Sequence, residues 1–121
     1  MKQVLVVDDS AVVRKVARRI LQGFDLQTCE AADGNCGLLE CQKRIPDVIL
    51  LDWSMPETDS VEFLRALRQM PGGAGPKVIF CTSEADAGHI ARALHAGADD
   101  YMMKPFNQNI LRAKLEEIGL L

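Results

Sequence analysis

A small set of acidic, hydroxyl and basic residues in this sequence could do chemistry together. Its members are Asp8, Asp9, Asp52, Thr82, Ser83 and Lys104. A carboxylate can act as a nucleophile, an ammonium group can neutralise charge that develops in a reaction, and a hydroxyl can hydrogen-bond an oxygen anion. Such groups suit the transfer of an anionic group to a carboxylate, if the fold brings them together.

These residues follow the segments that we predict to be strands. Apolar or β-branched runs predict strands at residues 4–7, 26–29, 48–51 and 78–81, with a weaker candidate at 99–103. Helical periodicity predicts a first helix that ends near Gly23 and further helices at residues 35–43, 60–69, 86–96 and 107–118. We expect Asn107 to cap the last helix and Gly97 to end the fourth.

The first predicted helix is amphipathic. Its apolar face carries Val13, Val16, Ala17, Ile20 and Leu21, and its basic face carries Arg14, Lys15, Arg18 and Arg19. A basic face of this kind is most often an ordinary solvated surface.

Strands that alternate with helices predict an α/β fold with a parallel sheet. Right-handed crossovers then give a doubly wound, five-stranded (βα)5 sheet of flavodoxin-like order 2-1-3-4-5. Loops that follow the strands meet at one edge of such a sheet, where ligands bind. The glycine-rich segment 71–76 lies at the opposite pole and lacks the Lys-Ser/Thr ending of a P-loop, so we interpret it as a flexible connection.

Length and composition indicate one globular domain over residues 1–121. The chain has 121 residues, 48% of them hydrophobic and 26% charged, and its net charge of -3 does not favour nucleic-acid binding. The first apolar run meets Asp8 and Asp9 at once, unlike a secretory signal, and no apolar stretch reaches transmembrane length. We therefore expect a cytoplasmic protein with reduced cysteines and no nucleic-acid or membrane partner.

Three carboxylates, those of Asp8, Asp9 and Asp52, are expected at one sheet edge. Like charges in a cleft repel, so the cluster favours a cation. Carboxylates with a carbonyl and waters suit Mg²⁺, whereas zinc prefers His or Cys. Cys81 is close in sequence to this edge, but its side chain is expected to point into the core.

The remaining residues then have chemical roles. Asp52 could attack phosphorus, Lys104 could neutralise the developing charge, and Thr82 could hydrogen-bond a phosphoryl oxygen. Each of these residues alone would be interpreted as a solvated or capping residue. Capping does not explain acids after two strands together with a lysine after a third.

Several motifs resemble the receiver domain of bacterial response regulators, especially the CheY-like single-domain type. They lie at residues 6–10, 51–56, 81–84, 96–98 and 104–106 and run along the whole chain. The resemblance implies that Asp52 is phosphorylated, that Asp9, Asp52 and the backbone carbonyl of Ser54 bind Mg²⁺, and that Asp8 acts mainly through metal-bound water. It also implies that Lys104 pairs with the phosphoryl group.

The resemblance further implies a switch and two kinds of partner. Thr82 would move toward the phosphoryl group, and Tyr101 would turn inward behind it. A histidine kinase or histidine phosphotransfer protein would donate the phosphoryl group, docking beside the first helix and its basic face. A downstream protein would bind the face of the fourth helix, fifth strand and fifth helix, and we expect no separate output domain.

Two departures from the family pattern concern loops beside the site. Ser60 stands where the family commonly has glycine, so serine is strained there if that position needs positive φ and well suited if it is a helix N-cap. Ser54 and Glu84 occupy positions that tune the phosphoryl lifetime in this family.

Three other functions remain open from the sequence. The chain could be a phosphorelay intermediate that passes the group onward, or a Mg²⁺-dependent phosphatase with an aspartyl nucleophile. The phosphatase pattern D-x-D and a cap domain are both missing here. A flavin carrier fits the fold, but its cofactor phosphate would meet an acidic first loop. We expect no enzyme activity beyond the domain's own phosphoryl transfer and loss.

Overall fold

The computed structural model describes residues 2–53, 60–83 and 87–121, and in this part of the chain five strands alternate with five helices. The strands are β1 (Gln3–Val7), β2 (Gln27–Ala31), β3 (Val48–Asp52), β4 (Lys77–Thr82) and β5 (Asp100–Met103). The helices are α1 (Ala11–Gln22), α2 (Gly34–Lys43), α3 (Ser60–Gln69), α4 (Ala87–Ala96) and α5 (Gln108–Glu117). All strand pairs are parallel and the order is β2-β1-β3-β4-β5, which confirms the predicted doubly wound sheet.

The central strands are buried on both faces, which explains their nearly continuous apolar runs. Successive side chains of a strand point to opposite faces. On one face, Leu5, Leu51 and Phe80 pack with residues of α2, α3 and α4. On the other face, Val6 and Leu50 pack with residues of α1 and α5. The two layers hold the carboxyl ends of β1, β3 and β4 at fixed positions along one edge.

The predicted bounds of β2 were wrong. The strand starts at Gln27 and extends to Ala31, because it pairs with the full length of β1 from Gln3↔Gln27 to Val7↔Ala31. Leu26 precedes the strand but is still buried. The apolar signal therefore located a buried residue, whereas backbone pairing set the ends of the strand.

The predicted apolar face of α1 was too wide. Ala17 and Leu21 are buried, but Val16 is 48% exposed and Val12 is 72% exposed. The helix contacts the sheet along a narrow stripe that includes Ala17, so Val16, the preceding residue, lies outside the contact.

The predicted helix ends at two positions are confirmed. Asn107 caps α5 by accepting a hydrogen bond from the backbone N–H of Ile110. Gly97 directly follows α4 with φ of 125°, a conformation that glycine adopts readily.

The glycine-rich connection between α3 and β4 contains hydrogen-bonded turns. The Arg68 guanidinium donates to the carbonyls of Gly73 and Pro76 at 3.0 and 2.7 Å. A Cβ atom on Gly73 would lie 1.7 Å from the Leu67 carbonyl oxygen, so this close approach requires glycine. The connection does lie at the predicted pole, away from the carboxyl ends of the strands.

Candidate functional site

The carboxyl ends of neighbouring strands bring the predicted site residues to one edge of the sheet. Asp8 directly follows β1, Asp52 ends β3, Thr82 ends β4, and Lys104 directly follows β5. The order β1-β3-β4-β5 makes these strand ends adjacent, although Asp8 and Lys104 are far apart in the sequence. The fold thus provides the proximity that the sequence analysis required.

The ammonium group of Lys104 lies between two buried carboxylates. Its Nζ atom is 2.7 Å from Asp8 Oδ2 and 3.2 Å from Asp52 Oδ1. The side chain of Lys104 is 21% exposed, whereas those of Asp8 and Asp52 are 4% and 7% exposed. Because charges removed from water are costly unless they are paired, this cation compensates a local excess of negative charge.

The pKa of Lys104 reflects this balance. Burial lowers the pKa by disfavouring the charged ammonium, but the hydrogen bond to Asp8 and the charges of Asp52 and Asp8 outweigh it, so the pKa is raised above its ordinary value. Lys104 therefore stays protonated at neutral pH and is ready to bind an anionic oxygen.

The same edge offers a cluster of oxygen ligands. One carboxylate oxygen from each of Asp8, Asp9 and Asp52 lies within 4.8 Å of the other two, and within the described residues this is the one such group. Asp9 is exposed, so the cluster opens to solvent on its side. Hard oxygen donors fit a divalent cation such as Mg²⁺, and nitrogen or sulfur donors are absent from the group. The fourth predicted ligand, the carbonyl of Ser54, lies outside the described residues.

Cys81 does not compete as a ligand. Its side chain is buried, and burial raises the pKa of its thiol to about 12. The expectation that it points into the core is confirmed.

Thr82 and Tyr101, the predicted switch residues, lie on neighbouring strands. Thr82 is buried at the end of β4, and Tyr101 is partly buried on β5. The ring of Phe80 lies 5.9 Å from that of Tyr101 and 5.3 Å from that of Trp53. A row of three packed rings therefore leads from the residue after Asp52 to β5, and Lys114 of α5 lies 5.4 Å from the Tyr101 ring.

The Ser60 hydroxyl lies against the end of β3, whereas the two cases considered from the sequence also involve residue 59, which lies outside the described residues. Ser60 is the first residue of α3 and is buried. Its hydroxyl lies 3.4 Å from the carbonyl oxygen of Asp52 and 3.5 Å from that of Trp53. Serine at this position therefore contacts the backbone of the predicted phosphoacceptor, a contact that glycine does not offer.

Two residues beside the site, Arg14 and Glu30, form a contact with the acidic loop that was not predicted from the sequence. Arg14 was assigned to a solvated face, but its side chain is only 14% exposed and it bonds both Glu30 and the backbone carbonyl of Asp8. A usable signal was present, because Glu30 lies near the end of β2, close to a helix that carries four basic residues and no acid.

Comparison with known proteins agrees with this geometry. The family model for the response regulator receiver domain matches residues 4–116. The chain belongs to the response regulator receiver domain family. It is 41% identical to the KDP operon transcriptional regulatory protein KdpE of Escherichia coli, over 95% of this chain and 50% of KdpE. It is 33% identical to the chemotaxis protein CheY of Pseudomonas aeruginosa, over 96% of this chain and 94% of CheY.

Solved structures show the same receiver fold. The chemotaxis protein CheY4 of Vibrio cholerae matches with a TM-score of 0.93 and 31% identity, over 98% of each chain. This receiver spans about half the length of KdpE and of the phosphate regulon protein PhoB, and nearly all of CheY.

Family membership settles the class of function. The chain is a response regulator receiver, a signalling domain of two-component systems and not a classical enzyme, which sets aside the phosphatase and the flavin carrier. Among the residues that the structure describes, no helix has the length and apolar character needed to cross a bilayer.

Replacing Lys104 with methionine is expected to destabilise the metal-free protein. The change keeps much of the side-chain length but leaves Asp8 and Asp52 buried without this cation, at a cost of about 1–3 kcal/mol in the free energy of unfolding. Urea denaturation in EDTA measures the difference. Lys43→Met removes an exposed ion-pair partner of Glu40 and should change stability by less than about 0.5 kcal/mol. Equal stability of Lys104→Met and the wild type would contradict the pairing role.

Removing the Ser60 hydroxyl is expected to lower stability slightly, and glycine is expected to lower it more than alanine. Ser60→Ala should lose about 0.5–1 kcal/mol, the low end for a hydrogen bond, because both contacts are long. Ser60→Gly should lose roughly 0.5–1 kcal/mol more, because glycine adds backbone freedom at a helical position. Thermal and urea denaturation rank the variants, and a Ser60→Gly protein more stable than wild type would show that serine is unfavourable here.

Proposed function

We propose that Asp52 accepts a phosphoryl group and that its added charge changes which partner the receiver binds. The observation that carries the proposal is the position of Asp52, buried at the sheet edge with Lys104 Nζ 3.2 Å from its carboxylate. The Lys104 cation can stabilise the Asp52 carboxylate before the reaction and the phosphoryl oxygens after transfer.

Asp8, Asp9, Asp52 and the backbone carbonyl of Ser54 would hold Mg²⁺. When bound, Mg²⁺ neutralises negative charge on the oxygens around phosphorus. Asp8 already accepts a hydrogen bond from Lys104, which supports a role for Asp8 mainly through metal-bound water. Asp9 is the exposed member of the three carboxylates, at the open side of the cluster.

The reaction is an exchange of one bond at phosphorus for another. An oxygen of Asp52 forms the new O–P bond as the P–N bond to a donor histidine breaks, and the bonding electron pair stays with the leaving imidazole. Lys104 keeps its proton, as its raised pKa favours, and donates to a phosphoryl oxygen. The Thr82 hydroxyl donates to another phosphoryl oxygen from the adjacent strand end. Later hydrolysis of the acyl phosphate would reset the domain without a separate substrate.

The donor would be a histidine kinase or a histidine phosphotransfer protein docked beside α1. The exposed side chains of Val12 and Val16 line an apolar groove of about 290 Å³ that also includes Pro105 and Phe106. Lys104 contributes to the same groove, so a donor seated there would reach the phosphorylation edge. Arg14 and Arg18 bond Glu30, whereas Lys15 and Arg19 of the basic face are exposed and would add charged contacts to this apolar groove.

The signal would leave through the face formed by α4, β5 and α5. Phosphorylation replaces the single negative charge of Asp52 with roughly 1.5 to 2 negative charges on the phosphoryl group, whose oxygens draw Thr82 toward them. A shift of Thr82 changes the space beside β5, where Tyr101 packs against Phe80 and lies near Lys114 of α5. Reorientation of Tyr101 would then alter the surface offered to a downstream protein.

Phosphorylation of the whole chain by acetyl phosphate tests the proposal. Intact-mass analysis should show a gain of one phosphoryl group in the presence of Mg²⁺ and none after EDTA treatment. Asp52→Asn should show no gain, because an amide lacks the nucleophilic oxygen anion. Asp25→Asn is the matched control and should behave as wild type, since Asp25 is exposed at the opposite pole and asparagine tolerates its φ of 61°.

Two results would contradict the proposal. The first is wild-type protein that gains no phosphoryl group under these conditions. The second is an equal gain in Asp52→Asn and the wild type, which would place the modification on another residue.

A further inference from the structure

The side chain of Arg14 connects α1 to the loop that carries Asp8 and Asp9. Its NH1 group donates to the backbone carbonyl of Asp8 at 2.6 Å, and its Nε group donates to Glu30 Oε1 at 2.9 Å. The Arg14 side chain is 14% exposed, whereas that of Glu30 is 34% exposed. One guanidinium therefore joins the helix, the end of β2 and the acidic loop.

Glu30 fixes the orientation of this guanidinium. It accepts from Arg14 with one carboxylate oxygen and from Arg18 with the other. Hydrogen bonds from these two arginines lower the pKa of Glu30, so it is ionised at neutral pH. Arg18 also donates from its Nε group to Thr28 Oγ1 on β2, at 3.0 Å, and so points toward β2.

Besides the Lys104 ion pair of Asp8 and the Ser10 cap of α1, the loop is held at three points between the Asp8 N–H and the Ser10 N–H. The Asp8 N–H donates to the Ala31 carbonyl at 3.1 Å, and the Ser10 N–H donates to Asp8 Oδ1 at 2.8 Å. The third point is the bond from Arg14 to the Asp8 carbonyl. This carbonyl belongs to the peptide group between Asp8 and Asp9, so its orientation determines the direction in which the Asp9 side chain leaves the backbone.

Electrostatic repulsion alone predicts that Arg14 weakens Mg²⁺ binding. A cation beside three carboxylates repels a second cation, so loss of Arg14 should strengthen Mg²⁺ binding if only long-range electrostatics matter. The positioning contact predicts weaker binding, because metal ligands that lose the groups orienting them bind metal less tightly. The two explanations differ in sign, which makes them separable.

We propose that Arg14 is a positioning residue for the magnesium site, which it orients through the Asp8 carbonyl, with Glu30 holding the arginine in place. The inference rests on the proposed function, since it concerns the same metal ligands. Arg14 does not touch the metal or the phosphoryl group. It acts by fixing the peptide group that joins two of the three carboxylates.

Mg²⁺ titration of the whole chain tests this role. The fluorescence of Trp53, the single tryptophan, reports binding beside Asp52, and calorimetry provides a second readout. At fixed ionic strength, Arg14→Gln should weaken Mg²⁺ binding by about tenfold. Arg18→Gln, which loses a bond to the same Glu30 but none to Asp8, should stay within about twofold of wild type. Arg14→Lys keeps the charge but loses the forked geometry and should fall between Arg14→Gln and wild type.

Each contrary result has a definite meaning. Binding by Arg14→Gln that is as tight as wild type or tighter overturns the positioning role, and so does equal weakening in Arg14→Gln and Arg18→Gln. Thermal unfolding without metal shows whether each variant is folded. If Arg14→Gln is not, Arg14→Lys carries the test, and wild-type affinity in that variant overturns the role. A wild-type chain with no response to Mg²⁺ refutes the metal site itself, a result distinct from the others.

Discussion

The ion pairs of Lys104 with Asp8 and Asp52 are the interaction on which the rest of this receiver depends. Two carboxylates with side chains 4% and 7% exposed are tolerated at one edge because an ammonium group lies 2.7 and 3.2 Å from them. The same arrangement makes the site responsive. A phosphoryl group on Asp52 would offer Lys104 new anionic oxygens, so the cation that stabilises the resting site is also the one available to the modified site.

The strand order brings the groups of this site together. β5 contributes Lys104, β1 contributes Asp8 and Asp9, and the intervening strands contribute Asp52 and Thr82. Two apolar layers hold those strand ends in register, and the Arg14–Glu30 pair holds the first acidic loop from outside the sheet. The aromatic row from Trp53 through Phe80 to Tyr101 is the packed route by which a change at Asp52 could reach β5.

The sequence predicted the parts of this arrangement that depend on local pattern. The apolar runs of β1, β3 and β4 are buried on both faces, and polar residues directly after them mark the site edge. The pattern did not predict the ends of β2, because this strand is polar in its middle and its ends are set by pairing with β1. Helical periodicity likewise placed Arg14 on a solvated face, because the periodicity of α1 carries no information about Glu30 on the neighbouring strand β2. For Ser60, sequence defined two conformations, and the contact with the Asp52 carbonyl appeared only in three dimensions.

The most direct test of this account is chemical identification of the phosphorylated residue. Reduction of the phosphorylated protein with borohydride converts an aspartyl phosphate to homoserine, and peptide mass spectrometry then locates it in the chain. The account predicts homoserine at position 52 alone, because both oxygens of Asp8 already accept hydrogen bonds, from the Ser10 N–H and from Lys104, and Asp9 lies at the exposed side of the cluster. Homoserine at position 8 or 9, with Asp52 unchanged, would contradict it.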